Sequence, residues 1–123
     1  KPILKLNFDE ADTIYTNKAY LESILINLLT NSIKYKSETK KLKISITIKK
    51  TNNSTILKFK DNGIGIDLKR NSEHIFGLYQ RFHDYPDSKG LGLYLVKSQI
   101  ESLGGTIAIE SEVNKGTEFT LTF

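Results

Sequence analysis

The chain has 123 residues, 38% of them hydrophobic, enough for one domain with a single core. It has no cysteine, which excludes disulfides and thiolate metal sites, and its two histidines, His74 and His83, are too few for a histidine-based zinc site without carboxylates. The net charge of +4 is carried mainly by lysine, with seven lysines between Lys34 and Lys50. Such a run reads first as a solvated face and second as a surface that steers an anionic ligand. It is not interleaved with aromatics as a single-strand binder requires, so no nucleic-acid partner is expected. No signal peptide and no apolar run of membrane-spanning length is visible. The expectation is a soluble, cytoplasmic domain without direct membrane contact.

In chain order, Ile3 to Phe8 alternates loosely as a short strand, and Thr13 to Thr16 suits a second. Asn17 to about Lys36 is the strongest helix candidate. It holds no Gly or Pro, is dense in Leu and Ile, and has Asn17 as N-cap. Lys43 to Lys49 places Ile44, Ile46 and Ile48 on one face of a strand. A turn at Asn52 and Asn53 returns the chain along Thr55 to Lys60 as a hairpin. Asp67 to Gly77 reads as a short helical piece, and Tyr79 to Lys89, with Pro86, as a mobile loop. Leu91 to Leu103 reads as a helix stopped by Gly104 and Gly105. Thr106 to Glu110 and Glu118 to Phe123 are predicted strands joined by a turn at Asn114 to Gly116. Hairpins imply antiparallel pairs, and the order of elements predicts an α+β domain, a two-layer sandwich with helices on one face of a sheet.

Three places carry chemistry. The first is the string Asp61 to Ile66, DNGIGI, which puts a carboxylate where a strand stops. Gly63 and Gly65 let the backbone turn sharply and approach a flat or anionic ligand. The second lies on the first helix. Leu21, Leu25, Leu28 and Leu29 form an apolar sector. Tyr20, Ile24, Asn27, Asn31 and Lys34 line a stripe beside it, at about 100° per residue. Asn is a poor residue inside a helix because its amide competes for backbone bonds. Two of them one turn apart mark either a solvated polar edge or a cleft wall. In a cleft, their carbonyl oxygens suit magnesium, Lys34 suits phosphate, and Tyr35 suits a base or a phosphate. The third place is Ser88 to Leu93, SKGLGL, at the start of the last helix. It is either a plain turn or an anion site made by free backbone N–H groups at a helix N-terminus. It is neither a Walker-type phosphate loop nor a dinucleotide fingerprint, since no Lys-Ser/Thr follows and no parallel βαβ unit surrounds it.

Five segments then stand in register. Asn27 to Tyr35 reads NLLTNSIKY, Asp61 to Ile66 DNGIGI, and Ile75 to Arg81 IFGLYQR. Gly90 onward reads GLGLYLVK, followed by Gly104-Gly105, and Gly116 to Phe119 reads GTEF. In this order and spacing the chain resembles the catalytic, ATP-binding domain of bacterial sensor histidine kinases, with its N, G1, F, G2 and G3 boxes. The resemblance spans essentially the whole chain. It implies the Bergerat fold of the GHKL ATPases, with a mixed sheet, helices on one face, and ATP between the helix layer and a lid. It implies Mg2+ and ATP as cofactors. Asn31 is the implied magnesium ligand, supported by Asn27, and Lys34 a phosphate contact. Tyr35 is implied to adjoin the adenine pocket or the lid, and Asp61 to accept the adenine amine. Gly63, Gly65 and Ile66 follow Asp61 along the nucleotide, Gly65 allowing close approach. Arg81 is implied to reach the γ-phosphate, Gly90, Leu91, Gly92 and Leu93 to bound the phosphate side, and Thr117 to line the adenine pocket. Asn27, Lys34 and Arg81 are the residues implied to act in transfer.

The chain departs from the family pattern at Ser88, where another Gly is usual, at Ser32, where Ala is usual, and in a short lid. In the family the phosphoacceptor is a histidine of a separate dimerisation domain, and an aspartate of a response-regulator receiver domain takes the group next. His83-Asp84 mimics an acceptor pair, but Pro86 follows within a turn, and His74 is expected in local packing or at the surface. The expectation is therefore a monomeric catalytic domain excised from a larger kinase, whose parent could be membrane-anchored. Two alternatives remain at this level: a degenerate nucleotide-binding or docking module, and another GHKL ATPase of the anti-sigma, gyrase or mismatch-repair type.

Overall fold

The computed structural model describes residues 3–7, 17–51, 53–66 and 92–123. The sequence-predicted strand at Thr13 to Thr16, the helical piece at Asp67 to Gly77 and the loop at Tyr79 to Lys89 lie outside them, as does Asn52 of the predicted turn.

Five strands are described: β1 (Ile3–Asn7), β2 (Lys43–Lys50), β3 (Thr55–Asp61), β4 (Thr106–Glu112) and β5 (Gly116–Thr122). They form one sheet in the order β1-β2-β3-β5-β4. β1 runs parallel to β2, and every other pair is antiparallel, so the sheet is mixed. Both predicted hairpins, β2–β3 and β4–β5, form. The β4–β5 turn has Asn114 at φ 67°, with the Lys115 N–H bonded to the Glu112 carbonyl at 3.0 Å. Asn tolerates this left-handed conformation better than most side chains do. The strands run past their predicted ends, β4 to Glu112 and β5 back to Gly116, because the ladder continues to the turn.

Alternation sorts side chains between the two faces of the sheet. On the inner face, Ile48, Leu57, Leu121 and Ile107 stand in one cross-strand row, and Ile46, Phe59, Phe119 and Ile109 in the next. Phe59, Phe119, Leu57 and Leu121 are fully buried there. Burying side chains of this size stabilises by about 1.5–3 kcal/mol each. The third row begins with Ile44 and then turns polar: Asp61, Thr117, Ser111. The apolar core thus ends at one edge in a row of hydrogen-bonding groups, on the face that the helices cover.

Helix α1 (Lys18–Lys34) starts as predicted, with the Asn17 side chain accepting the Tyr20 N–H at 3.1 Å. Its buried residues are Ile24, Leu28 and Ser32, spaced by four. This shifts the sector expected from the leucines. Leu25 and Leu29 only flank the core, and Ile24, at the apolar start of the stripe, belongs to it. A row at i, i+4, i+8 drifts slowly around the helix, so it carries the buried face through Ser32. Helix α2 (Gly92–Ser102) contributes Leu93, Val96 and Ile100 to the same core. It stops as predicted at Gly104, at φ +80°, with the Gly105 N–H on the Ile100 carbonyl at 2.9 Å. Gln99 Nε2 donates to Ser23 Oγ at 2.9 Å and ties the two helices together.

The seven lysines from Lys34 to Lys50 are all exposed, as a solvated face requires. Among the described residues no helix is long and apolar enough to cross a membrane.

Candidate nucleotide site

The site is built where α1 ends over the polar row of the sheet. Asp61, the last residue of β3, is 8% exposed. Its Oδ1 accepts the Gly63 N–H at 2.9 Å, and its Oδ2 accepts the Ser32 hydroxyl at 2.7 Å. A carboxylate loses much of its hydration at such a position, and protein donors must replace the lost water. One donor comes from its own loop and one from the helix layer.

The loop that follows is fixed on every side. Asn62 accepts the Lys43 N–H at 2.8 Å and donates to the Lys41 carbonyl at 2.9 Å, stapling the loop to the start of β2. The Ile64 N–H bonds the Tyr35 carbonyl at the end of α1, and the Ile64 carbonyl accepts the Asn114 N–H. From sequence, the task of Gly63 and Gly65 is to approach a ligand. In the structure they also admit the protein's own backbone. A Cβ on Gly63 would meet the Tyr35 carbonyl oxygen, and one on Gly65, at φ +75°, would run into the Glu112 carbonyl.

Thr117, 8% exposed, stands beside Asp61 in register. Ser111, which sequence reasoning misses, is the hub of this end. Its Oγ accepts the Ile66 N–H at 2.8 Å and lies 2.8 Å from both the Gly116 carbonyl and Thr117 Oγ1. A hydroxyl has one proton. If Ser111 donates to Gly116, Thr117 must donate to Ser111. The available signal is a hydroxyl between Glu110 and Glu112, six residues before Thr117, in line with the inward isoleucines Ile107 and Ile109.

The stripe on α1 provides the other end. Asn27 and Asn31 are half-buried and Lys34, in the last turn, is exposed. Asn27 Nδ2 donates to the Ser23 carbonyl at 3.0 Å, which fixes the side chain by its nitrogen. Asn31 precedes Ser32, so the bond to Asp61 anchors the very turn that carries it. Tyr35 is half-buried and caps α1, its N–H on the Asn31 carbonyl. Among the described residues no group of three or more His, Cys, Asp or Glu is poised to hold a metal. Neutral amide oxygens instead suit magnesium, which keeps several waters and binds together with phosphates. Ile66 and Leu93, expected along the nucleotide, put their side chains in the core, at 5% and 6% exposure. Gly92 opens α2. Arg81, Gly90 and Leu91 lie outside the described residues, with Ser88 and both histidines.

A mixed sheet covered on one face by helices, with a buried carboxylate at a strand end and paired asparagines on the facing helix, defines an ATP-binding domain of the GHKL type. The pattern of the histidine kinase-, DNA gyrase B- and HSP90-like ATPases matches residues 16–123, and the chain belongs to that family. Sensor proteins and histidine kinases are among its relatives. It is 34% identical over 112 residues to the sensor protein RprX of Bacteroides fragilis, a match covering 88% of this chain and 21% of that protein. It is 33% identical over 124 residues to the histidine protein kinase SaeS of Staphylococcus epidermidis, covering 97% and 35%. The chain thus spans about a fifth to a third of these relatives. Among solved structures, the mycobacterial sensor histidine kinase MprB superposes with a TM-score of 0.83 at 18% identity, over 99% of this chain and 82% of that one. The catalytic domain of histidine kinase ThkA gives 0.81 at 25% identity, over 99% and 79%. The Bergerat fold implied by the sequence is the fold observed.

Proposed function

We propose that this domain holds Mg-ATP between α1 and the polar end of the sheet and supplies its γ-phosphoryl group to a histidine on a separate dimerisation domain. From there a response-regulator receiver domain would take the group, completing a two-component relay in the cytoplasm. The observation that carries this reading is Asp61. It is a buried carboxylate held by two donors at a strand end, in register with Thr117 and facing the helix that bears Asn27, Asn31 and Lys34.

Each residue has a physical task. Asp61 accepts the exocyclic amine of adenine, a charge-assisted bond. Thr117 lines the same base pocket. Asn31 offers its amide oxygen to magnesium and Asn27 braces that end. Lys34 meets phosphate at the C-terminal turn. Arg81, with Gly90 and Leu91, keeps the phosphate-side role the sequence implies. Bound magnesium neutralises phosphate charge. Phosphoryl transfer asks little else of a protein than alignment and charge stabilisation.

The test is transfer in trans. The domain is mixed with Mg-ATP and a helical acceptor domain from a sensor kinase, and phosphohistidine is measured. Acid-labile, base-stable label on the acceptor supports the proposal. Saturable ATP binding with no label on any acceptor leaves a nucleotide-binding module and overturns the kinase reading.

A further inference from the structure

Ser32 is the polar member of the buried row on α1, and it is 2% exposed. A buried hydroxyl costs free energy unless it is paired. This one is paired across 29 positions of sequence, to Asp61 Oδ2. Gly63 holds the other oxygen. With one donor on each oxygen, the carboxylate is fixed in rotation about its Cβ–Cγ bond. The carboxylate has no proton to give, and the Ser32 hydroxyl spends its single proton on Asp61, so toward a ligand both groups present only lone pairs. A base with an amine at the purine 6-position satisfies such a surface. A base with a carbonyl there meets oxygen against oxygen.

We infer that Ser32 is a positioning residue for base selection: it fixes the orientation of the acceptor-only Asp61 carboxylate and so sharpens the preference for 6-aminopurine over 6-oxopurine and unsubstituted purine. The inference rests on the nucleotide reading above and assigns to Ser32 the specificity of that site. It acts through Asp61 and need not touch the base.

The experiment is calorimetric titration of the chain and of Ser32→Ala with Mg-ATP and with the magnesium complex of purine riboside triphosphate, whose base has no 6-substituent. Ser32→Ala is expected to weaken ATP binding about tenfold, the scale of one hydrogen bond to a charged group. It should leave purine riboside triphosphate within about twofold. In an Asp61→Asn background, removing Ser32 should cost ATP nothing further. Equal losses for both nucleotides, no loss for either, or an undiminished loss in the Asp61→Asn background would each overturn the inference while leaving the nucleotide reading in place. If Ser32→Ala does not fold, the isosteric pair Ser32→Thr and Ser32→Val makes the same comparison, with only the former keeping the ATP preference. Failure of the unmutated chain to bind either nucleotide overturns the site itself, and this inference with it.

Discussion

The two ends of the site are made differently. At the base end, Asp61, Thr117 and Ser111 lie in one cross-strand row, and their hydrogen bonds run to one another, to backbone and to Ser32. At the phosphate end, Asn27, Asn31 and Lys34 stand on a helix face that passes from half-buried to exposed. The base end is complete before any ligand arrives. The phosphate end offers oxygens and a cation whose natural partners are a metal and a triphosphate. A buried polar row must satisfy itself to exist, whereas a helix flank need not. On the proposed reading, recognition of the base would be preorganised and the charge chemistry assembled by the nucleotide.

Four substitutions press on this contrast. Gly65→Ala forces a side chain at φ +75° into the Glu112 carbonyl. It should cost about 3 kcal/mol of stability, measured by denaturant unfolding, and abolish binding at both ends. A variant of unchanged stability would show that the loop is looser than its bonds suggest. Asn31→Ala should lower Mg-dependent ATP affinity about 100-fold and suppress transfer, yet leave the melting temperature within a degree or two. Unchanged Mg-ATP titration would remove the metal assignment. Asp61→Asn should reduce the preference for ATP over GTP about tenfold, since a charge-assisted acceptor is lost. Competition binding measures this, and an unaltered ratio would place the base elsewhere. Ser111→Ala should cost about 1 kcal/mol in stability and a few-fold in ATP affinity, with the amide of Ile66 exchanging faster with solvent. If only affinity falls, Ser111 serves the ligand and not the scaffold.

Much of this is legible in the chain. Asn17 as a cap, Gly104 as a stop and Asn114 as a turn are local signals, and each acts through the bonds that the residue type predicts. The Gly-rich string and the asparagines stand out as a candidate site because unusual residue types in ordered elements demand a reason. What is not legible is non-local. Nothing within Ile3 to Asn7 says that β1 will pair in parallel with β2, 40 positions on in register. Step counting puts Ile24 beside the leucine sector and not at the centre of the buried face, because it fixes relative angles and not which sector the sheet will cover. Ser32 reads as a mild change and Ser111 does not register at all. Both draw their meaning from partners brought close only by the fold, Asp61 and the Ile66 backbone.

β5 lies between β3 and β4, although it is the last of the five in chain order. Asp61 gains its neighbour Thr117, and the glycine loop gains its brace from Asn114, only when the β4–β5 hairpin docks on the edge of β3. During N-to-C synthesis the nascent domain therefore carries every group on α1 and β3 while lacking a closed base pocket. A chain stalled before residue 116 would lack Phe119 beside Phe59 and Thr117 beside Asp61 at the same moment. On the proposed reading, nucleotide binding therefore waits for this hairpin.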